Sequence, residues 1–119
     1  MARLFVQVVT GPENPTRAAL GLLIARTAAD EGHDVSVFFA GDAVSLVRAE
    51  TAEAAQGIGT GSVAEHLAAL REAGVPIHLS GLSSKPRGID ASVAGDGVQL
   101  SPPKVVVELA TAADTVLVY

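Results

Sequence analysis

The stretch "RLFVQVVTGPENPTRAALGLLIARTAADEGHDVSVFF", residues 3–39, decides the class of fold. Residues 3–9 are mostly apolar and rich in valine, as in a strand buried on both faces, and residues 34–39 have the same character. Between them, Asn14 and Pro15 form a typical helix start, and we expect this helix to run to about residue 31. A strand, a helix and a second strand in this order indicate the crossover unit of a parallel sheet.

The remainder of the chain continues the alternation. Ser62 and Glu65 have the spacing of a capping box, whereas "GIGTG" at 57–61 predicts a flexible loop or a contact between subunits. We predict further strands at 75–80, 98–100 and 114–119, helices at 62–73 and 102–112, and helix caps at Asp42 and Ser101. The expected fold is α/β: one domain over 1–119, a three-layer sandwich of about five mostly parallel strands with helices on both faces. The expected strand order is the flavodoxin type, 2-1-3-4-5.

Composition excludes several functional classes. The formal net charge is −5 and Lys and Arg are not clustered, which argues against nucleic acid as a partner. The longest apolar stretch, residues 18–25, is too short to span a bilayer, and the amino terminus shows no secretory signal. We therefore expect a cytoplasmic protein without a membrane partner. The chain contains no cysteine, so disulfides, thiolate catalysis and iron–sulfur clusters are excluded.

A ligand site is expected beyond the carboxyl ends of the strands. The flavodoxin order would place Thr10-Gly11 beside Ser80-Gly81, with Gly41 on the far side of the first strand. Helix starts and basic residues on these segments favour a small anionic or polar ligand. The alternative is ordinary capping, turn chemistry and surface charge. The candidate ligand-binding residues are Thr10, Gly11, Asn14, Arg17, Gly41, Ser80, Gly81, Ser83, Ser84, Lys85 and Arg87.

Other chemistry has weaker support in the sequence. His78 and Ser80 share one face of a strand, but residues at this spacing diverge and no nucleophile elbow is present, so we expect no catalytic pair. His33, His66 and His78 show no metal-binding spacing. No strand precedes "GIGTG", so it does not match a dinucleotide loop. We expect neither a metal nor a cofactor.

The whole chain resembles the DsrE/DsrF-like family, the sulfur-relay group that includes TusD-type proteins. The resemblance rests on "FVQVVTGP", "VSVFFAGDAVSLV", "LREAGVPIHLSGLSSKPRG" and "ELATAADTVLVY", in this order and spacing. It implies a compact α/β domain that assembles into trimers or hexamers. It also implies that the sulfur-carrying cysteine of relay members corresponds to Ser80 here.

Serine at this position changes the expected function. A persulfide needs an ionisable thiolate, which a serine hydroxyl cannot supply. We therefore expect a non-catalytic, homo-oligomeric protein that binds a small ligand at the strand ends. Two alternatives remain: a subunit that completes a hetero-oligomer with a cysteine-bearing relative, and an enzyme that depends on Ser80.

Overall fold

The computed structural model describes all residues of the protein, Met1–Tyr119. In chain order its strands are β1 (Arg3–Val8), β2 (Asp34–Phe39), β3 (Gln56–Gly57), β4 (Gly61–Ser62), β5 (Ile77–Ser80), β6 (Val98–Ser101) and β7 (Thr115–Val118). Its α-helices are α1 (Pro15–Asp30), α2 (Ala49–Ala54), α3 (Val63–Glu72), α4 (Gly81–Ser84), α5 (Ala91–Ala94) and α6 (Pro103–Ala112). Two 3₁₀ helices span Gly41–Val47 and Lys85–Arg87. No helix combines the length and the apolar character needed to cross a bilayer.

Five strands form one parallel sheet in the order β6-β5-β2-β1-β7. The predicted α/β architecture is confirmed, with a parallel sheet between layers of helices. The predicted flavodoxin order was wrong, because β2 lies between β1 and β5. Alternating strands and helices imply parallel crossovers, but crossovers of the same hand are compatible with more than one strand order. The order therefore depends on how the helices pack.

One face of the sheet carries the main core. The side chains of Val6, Val37 and Leu79 are fully buried there, against a layer that includes Leu22 of α1 and Leu70 of α3. Val6 pairs with Val37 in register, and Leu79 lies two residues after Ile77, the partner of Val37. Because strand side chains alternate between faces, all three share one face of the sheet. The core is almost entirely aliphatic, in keeping with the low aromatic content of the chain.

The opposite face is covered more thinly. It buries Phe5 and Phe38, and α6 lies against it, but no residue of α6 is itself buried. The side chains of α6 form hydrogen bonds only within the helix, from Thr111 to the carbonyl oxygens of Val107 and Glu108. The side chains of α6 therefore contact the sheet only through apolar packing.

The "GIGTG" segment belongs to a short hairpin and is not the irregular loop that we predicted, whereas a contact between subunits there stays a prediction. Strands β3 and β4 pair as an antiparallel hairpin, and hydrogen bonds attach this hairpin to α1 and α3. The Ile58 N–H donates to Thr16 Oγ1 (3.0 Å), and the Thr60 hydroxyl donates to the Thr16 carbonyl (2.9 Å). His66 Nε2 lies 2.7 Å from the Thr60 carbonyl oxygen. The two hydrogen bonds to Thr16 join residues more than 40 positions apart, so they order a loop whose own residues carry no such signal.

Two predicted helix caps are confirmed and two were wrong. Asn14 Oδ1 accepts the N–H three residues ahead (3.2 Å), and Ser62 Oγ does the same at the start of α3 (3.3 Å). Asp42 and Ser101 cap no helix, since the helices that follow β2 and β6 have no side-chain cap. Both side chains instead have partners from distant parts of the chain.

Candidate functional site

The turns after β1, β2 and β5 lie side by side at the carboxyl edge of the sheet. Gly41 lies between the Thr10-Gly11 turn and the Ser80-Gly81 turn, because β2 separates β1 from β5. The expected direct juxtaposition of the two outer turns was therefore wrong. Gly11 approaches the Asp42 carbonyl so closely that a side chain would collide with the backbone there.

Ser80 ends β5 and caps the short helix α4. Its Oγ accepts the N–H of Ser83 (3.1 Å), and the residue is 9% exposed. The Ser83 hydroxyl oxygen in turn accepts the N–H of Gly41 (2.9 Å), whose φ of 58° is in the left-handed region that favours glycine. These two hydrogen bonds join the turns after β2 and β5 into one unit.

The backbone N–H groups on these turns are largely engaged by the protein itself. In addition to the two just described, the Gly11 N–H donates to Glu13 Oε1 (2.8 Å) and the Arg17 N–H donates to Asn14 Oδ1. An anion at these N–H groups would have to displace hydrogen bonds already formed, one of them to a carboxylate. This arrangement disfavours an anion in this part of the crevice.

The basic residues differ in how freely they could meet a ligand. Arg87 Nη2 forms an ion pair with Asp42 Oδ1 (2.9 Å), and its Nη1 donates to the Ser83 carbonyl (2.8 Å). Neither Lys85 nor Arg17 forms an ion pair. Arg87 thus links the turn after β2 to the turn after β5, whereas the ammonium group of Lys85 has no carboxylate partner.

Two cavities flank the carboxyl end of β5. The first, here called the Ser80 cleft, has a volume of about 360 Å³ and lies between the sheet and α6. It is lined by Gln7, Phe38, Ala40, Ser80, Pro103, Val106 and Val107. The second, the Lys85 depression, has about 340 Å³ and is lined by Gly81, Lys85, Gly88, Ile89, Asp90 and Leu100. The Ser80 cleft contains no charged side chain, whereas the Lys85 depression contains one of each sign.

Ser84 lines neither cavity. It is buried, 1% exposed, and its hydroxyl forms no hydrogen bond. Among the candidate residues, Thr10, Gly11, Gly41, Ser80, Gly81, Ser83 and Arg87 lie along this edge of the sheet, while Asn14 and Arg17 lie at the start of α1. The structure thus separates the cleft at Ser80 from the basic residues that sequence reasoning had grouped with it.

His78 is paired with Ser101, a residue that we predicted only as a helix cap. His78 Nδ1 lies 2.9 Å from Ser101 Oγ, and the imidazole stacks on the ring of Phe38, with ring centres 6.0 Å apart. Burial lowers the pKa of His78. Ser101 lies opposite Ser80 in the β5–β6 register, so it is a diagonal neighbour of His78. No spacing in the sequence signals this pair, which exists because β6 pairs with β5.

The chain belongs to the DsrE/DsrF-like family, whose model matches residues 2–119. A search of curated proteins found no match.

Solved structures that match this chain include those of the ychN and BT1422 proteins. The ychN protein from E. coli is 23% identical, with a TM-score of 0.83 and full coverage of both chains. A conserved protein of unknown function from Bacteroides thetaiotaomicron, BT1422, is 16% identical with a TM-score of 0.75, and the match covers 99% of this chain and 95% of that one. At these identities the similarity shows the fold alone.

Proposed function

We propose that this protein is a DsrE-like protein that carries no sulfur and instead binds a small polar ligand in the Ser80 cleft, as an oligomer of its own copies. The observation that carries the proposal is the position of the cleft. It opens beside Ser80, the position where the family resemblance places the sulfur-carrying thiol of relay proteins. The chain has no cysteine that could replace that thiol, so persulfide transfer has no chemical basis here.

The lining of the Ser80 cleft favours a neutral ligand over an ion. Phe38, Pro103, Val106 and Val107 supply apolar walls, and an ion entering between them would lose hydration without meeting an opposite charge. Ser80 accepts a backbone N–H through its Oγ and keeps its hydroxyl hydrogen for a ligand acceptor.

Gln7 adds an amide that can both donate and accept a hydrogen bond. A compact molecule with an amide, carbonyl or hydroxyl group therefore matches the cleft. The volume is at the small end of the range for ligand pockets. An anion would find its cation outside the cleft, at Lys85.

The test is an amide NMR titration of the isotope-labelled protein with N-methylacetamide as the neutral probe and inorganic phosphate as the anionic one. We expect N-methylacetamide to shift the amides of Gln7, Ser80 and α6 in a saturable way. Loss of one hydrogen bond in Ser80→Ala should weaken this binding by about 2- to 10-fold. Lys85→Ala is the matched control and should leave it unchanged. Saturable shifts with phosphate alone, lost in Lys85→Ala, would contradict the neutral-ligand proposal.

Assembly is supported by the thinly covered face. Val116 and Val118 of β7 are 42% and 54% exposed, and β7 is an edge strand of the sheet. A second copy packed there would cover these residues, and the family resemblance suggests trimers or hexamers. Sedimentation should show a species heavier than the 12.0 kDa monomer at micromolar concentration, and a single monomeric species would contradict this part of the proposal.

The same face supports the alternative role as a subunit beside a cysteine-bearing relative. Mixing the two purified proteins separates the roles: a mixed complex detected by native mass spectrometry favours the alternative, whereas separate homo-oligomers favour the first proposal. A Ser80-dependent enzyme has less support, because the nearby imidazole of His78 is hydrogen-bonded to Ser101 and not to Ser80.

A further inference from the structure

His78 lies beneath α6, between two cavities that the helix partly covers. Through its stacking on Phe38 it adjoins the Ser80 cleft, which α6 lines with Pro103, Val106 and Val107. On its other side is a cavity of about 240 Å³, which α6 lines with Leu109 and Ala112. The imidazole also bonds to Ser101, two residues before the helix begins. His78 is therefore next to the cavities near both ends of α6 and is bonded to the segment that precedes the helix.

The attachment of α6 is weak enough for one charge to change it. The helix has no buried residue, no side-chain cap at its amino end, and no side-chain hydrogen bond or ion pair to the sheet. Elements with few buried apolar contacts are the first to open in a native protein. A cation placed beneath such a helix favours the state in which water reaches that cation.

We propose that His78 controls the docking of α6: the helix lies on the sheet while the imidazole is neutral and is released when the imidazole is protonated. The hydrogen bond to Ser101 does not oppose this, because a charged imidazole can still donate to Ser101 Oγ. Release is favoured because the charged ring is poorly hydrated while α6 covers it. The consequence for ligand binding rests on the proposed function of the Ser80 cleft, whereas the release of α6 does not.

The groups around the imidazole do not supply a compensating charge. Arg3 of β1 and Asp34 of β2 line the same cavity, but they form an ion pair with each other (3.1 Å) and both are largely exposed. From β6, Gln99 and Ser101 lie nearest in register, and both are uncharged.

The helix itself also supplies no charge at this position. It contributes Leu109 and Ala112 to the cavity, while its two charged residues, Lys104 and Glu108, are exposed. Burial lowers the pKa of His78 while α6 is docked, and release restores the ordinary value. Docking is therefore favoured above about pH 6.5 and lost as the pH falls through the lowered pKa.

The experiment is amide hydrogen exchange of residues 104–112 in the free protein at about pH 7.5 and about pH 5.0, each corrected for the intrinsic rate of an unfolded peptide. The opening constant of α6 in the wild type should rise at the lower pH, at most about tenfold for each unit by which burial lowers the pKa of His78. His78→Phe keeps an aromatic ring on Phe38 and does not titrate, so α6 should lose this pH dependence. His33→Phe removes another partly buried histidine, remote from α6 in its hydrogen bonding, and should retain it.

Equal pH dependence in the wild type and His78→Phe would overturn the proposal. If that variant does not fold, NMR titration of the wild type decides instead: the ring signals of His78 and the amide signals of α6 should change with one midpoint below the ordinary histidine pKa. Titration of the ring without any change in α6 would refute the proposal. All of these measurements use protein without added ligand, so a failure to bind N-methylacetamide leaves them unaffected.

Discussion

Replacement of Ser80 by alanine should destabilise the protein even before any ligand is considered. The hydroxyl oxygen accepts the Ser83 N–H at 3.1 Å at a position that is only 9% exposed, so water replaces the lost acceptor poorly. Loss of such a cap costs about 1 kcal/mol, within a range of about 0.5–2 kcal/mol. For a chain of this size that corresponds to a fall in Tm of about 4 °C.

The assay is urea unfolding followed by far-UV circular dichroism, with a lowered midpoint and an unchanged slope expected for Ser80→Ala. Ser45→Ala is the matched control, because Ser45 is partly buried and its hydroxyl forms no hydrogen bond. Equal midpoints for Ser80→Ala and the wild type would refute the reasoning, as would an equal loss in Ser45→Ala. This measurement also gives the stability loss that must be known before ligand binding by Ser80→Ala is interpreted.

Three further predictions concern the core, the ion pair and an exposed carboxylate. Leu22→Ala removes a fully buried side chain from the main core and should cost about 2–5 kcal/mol, measured by urea unfolding. Arg87→Ala should cost at most about 1 kcal/mol, and less at high salt, because its ion pair with Asp42 is partly exposed; a larger, salt-independent loss would argue against this account. The hydroxyl of Ser92 and a backbone N–H lower the pKa of Asp90, so its stabilising contribution should be present above the ordinary aspartate pKa and lost in acid. An NMR titration of Asp90 in the wild type and in Ser92→Ala should show a higher pKa in the variant.

Much of the local structure follows from short-range sequence signals. Asn14 with Pro15 starts α1, and Ser62 starts α3, because side-chain acceptors at these positions satisfy N–H groups only a few residues ahead. The same reasoning failed at Asp42 and Ser101. Each of these side chains has a partner that is distant in sequence, Arg87 and His78 respectively, and no local rule describes competition from such partners.

The candidate site was predictable only in outline. A ligand site was expected at the carboxyl edge of the parallel sheet, and Ser80 lies at a cleft there. We predicted that Ser80 and Arg87 both contact the ligand, but Arg87 forms an ion pair with Asp42 instead of remaining free. Since a basic side chain on a loop has the same sequence signature with or without an acidic partner, only the packed turns reveal which charges are free.

The sequence by itself determined the α/β class, the parallel strands and the absence of a thiol for sulfur transfer. These properties depend on apolar periodicity and on residue identity, which are present in the chain before it folds. Only the tertiary structure decided that β2 separates β1 from β5, that the 56–62 hairpin is ordered, and that His78 meets Ser101 beneath α6. Each of these depends on which strands and helices become neighbours, and that choice is made by packing between segments distant in sequence.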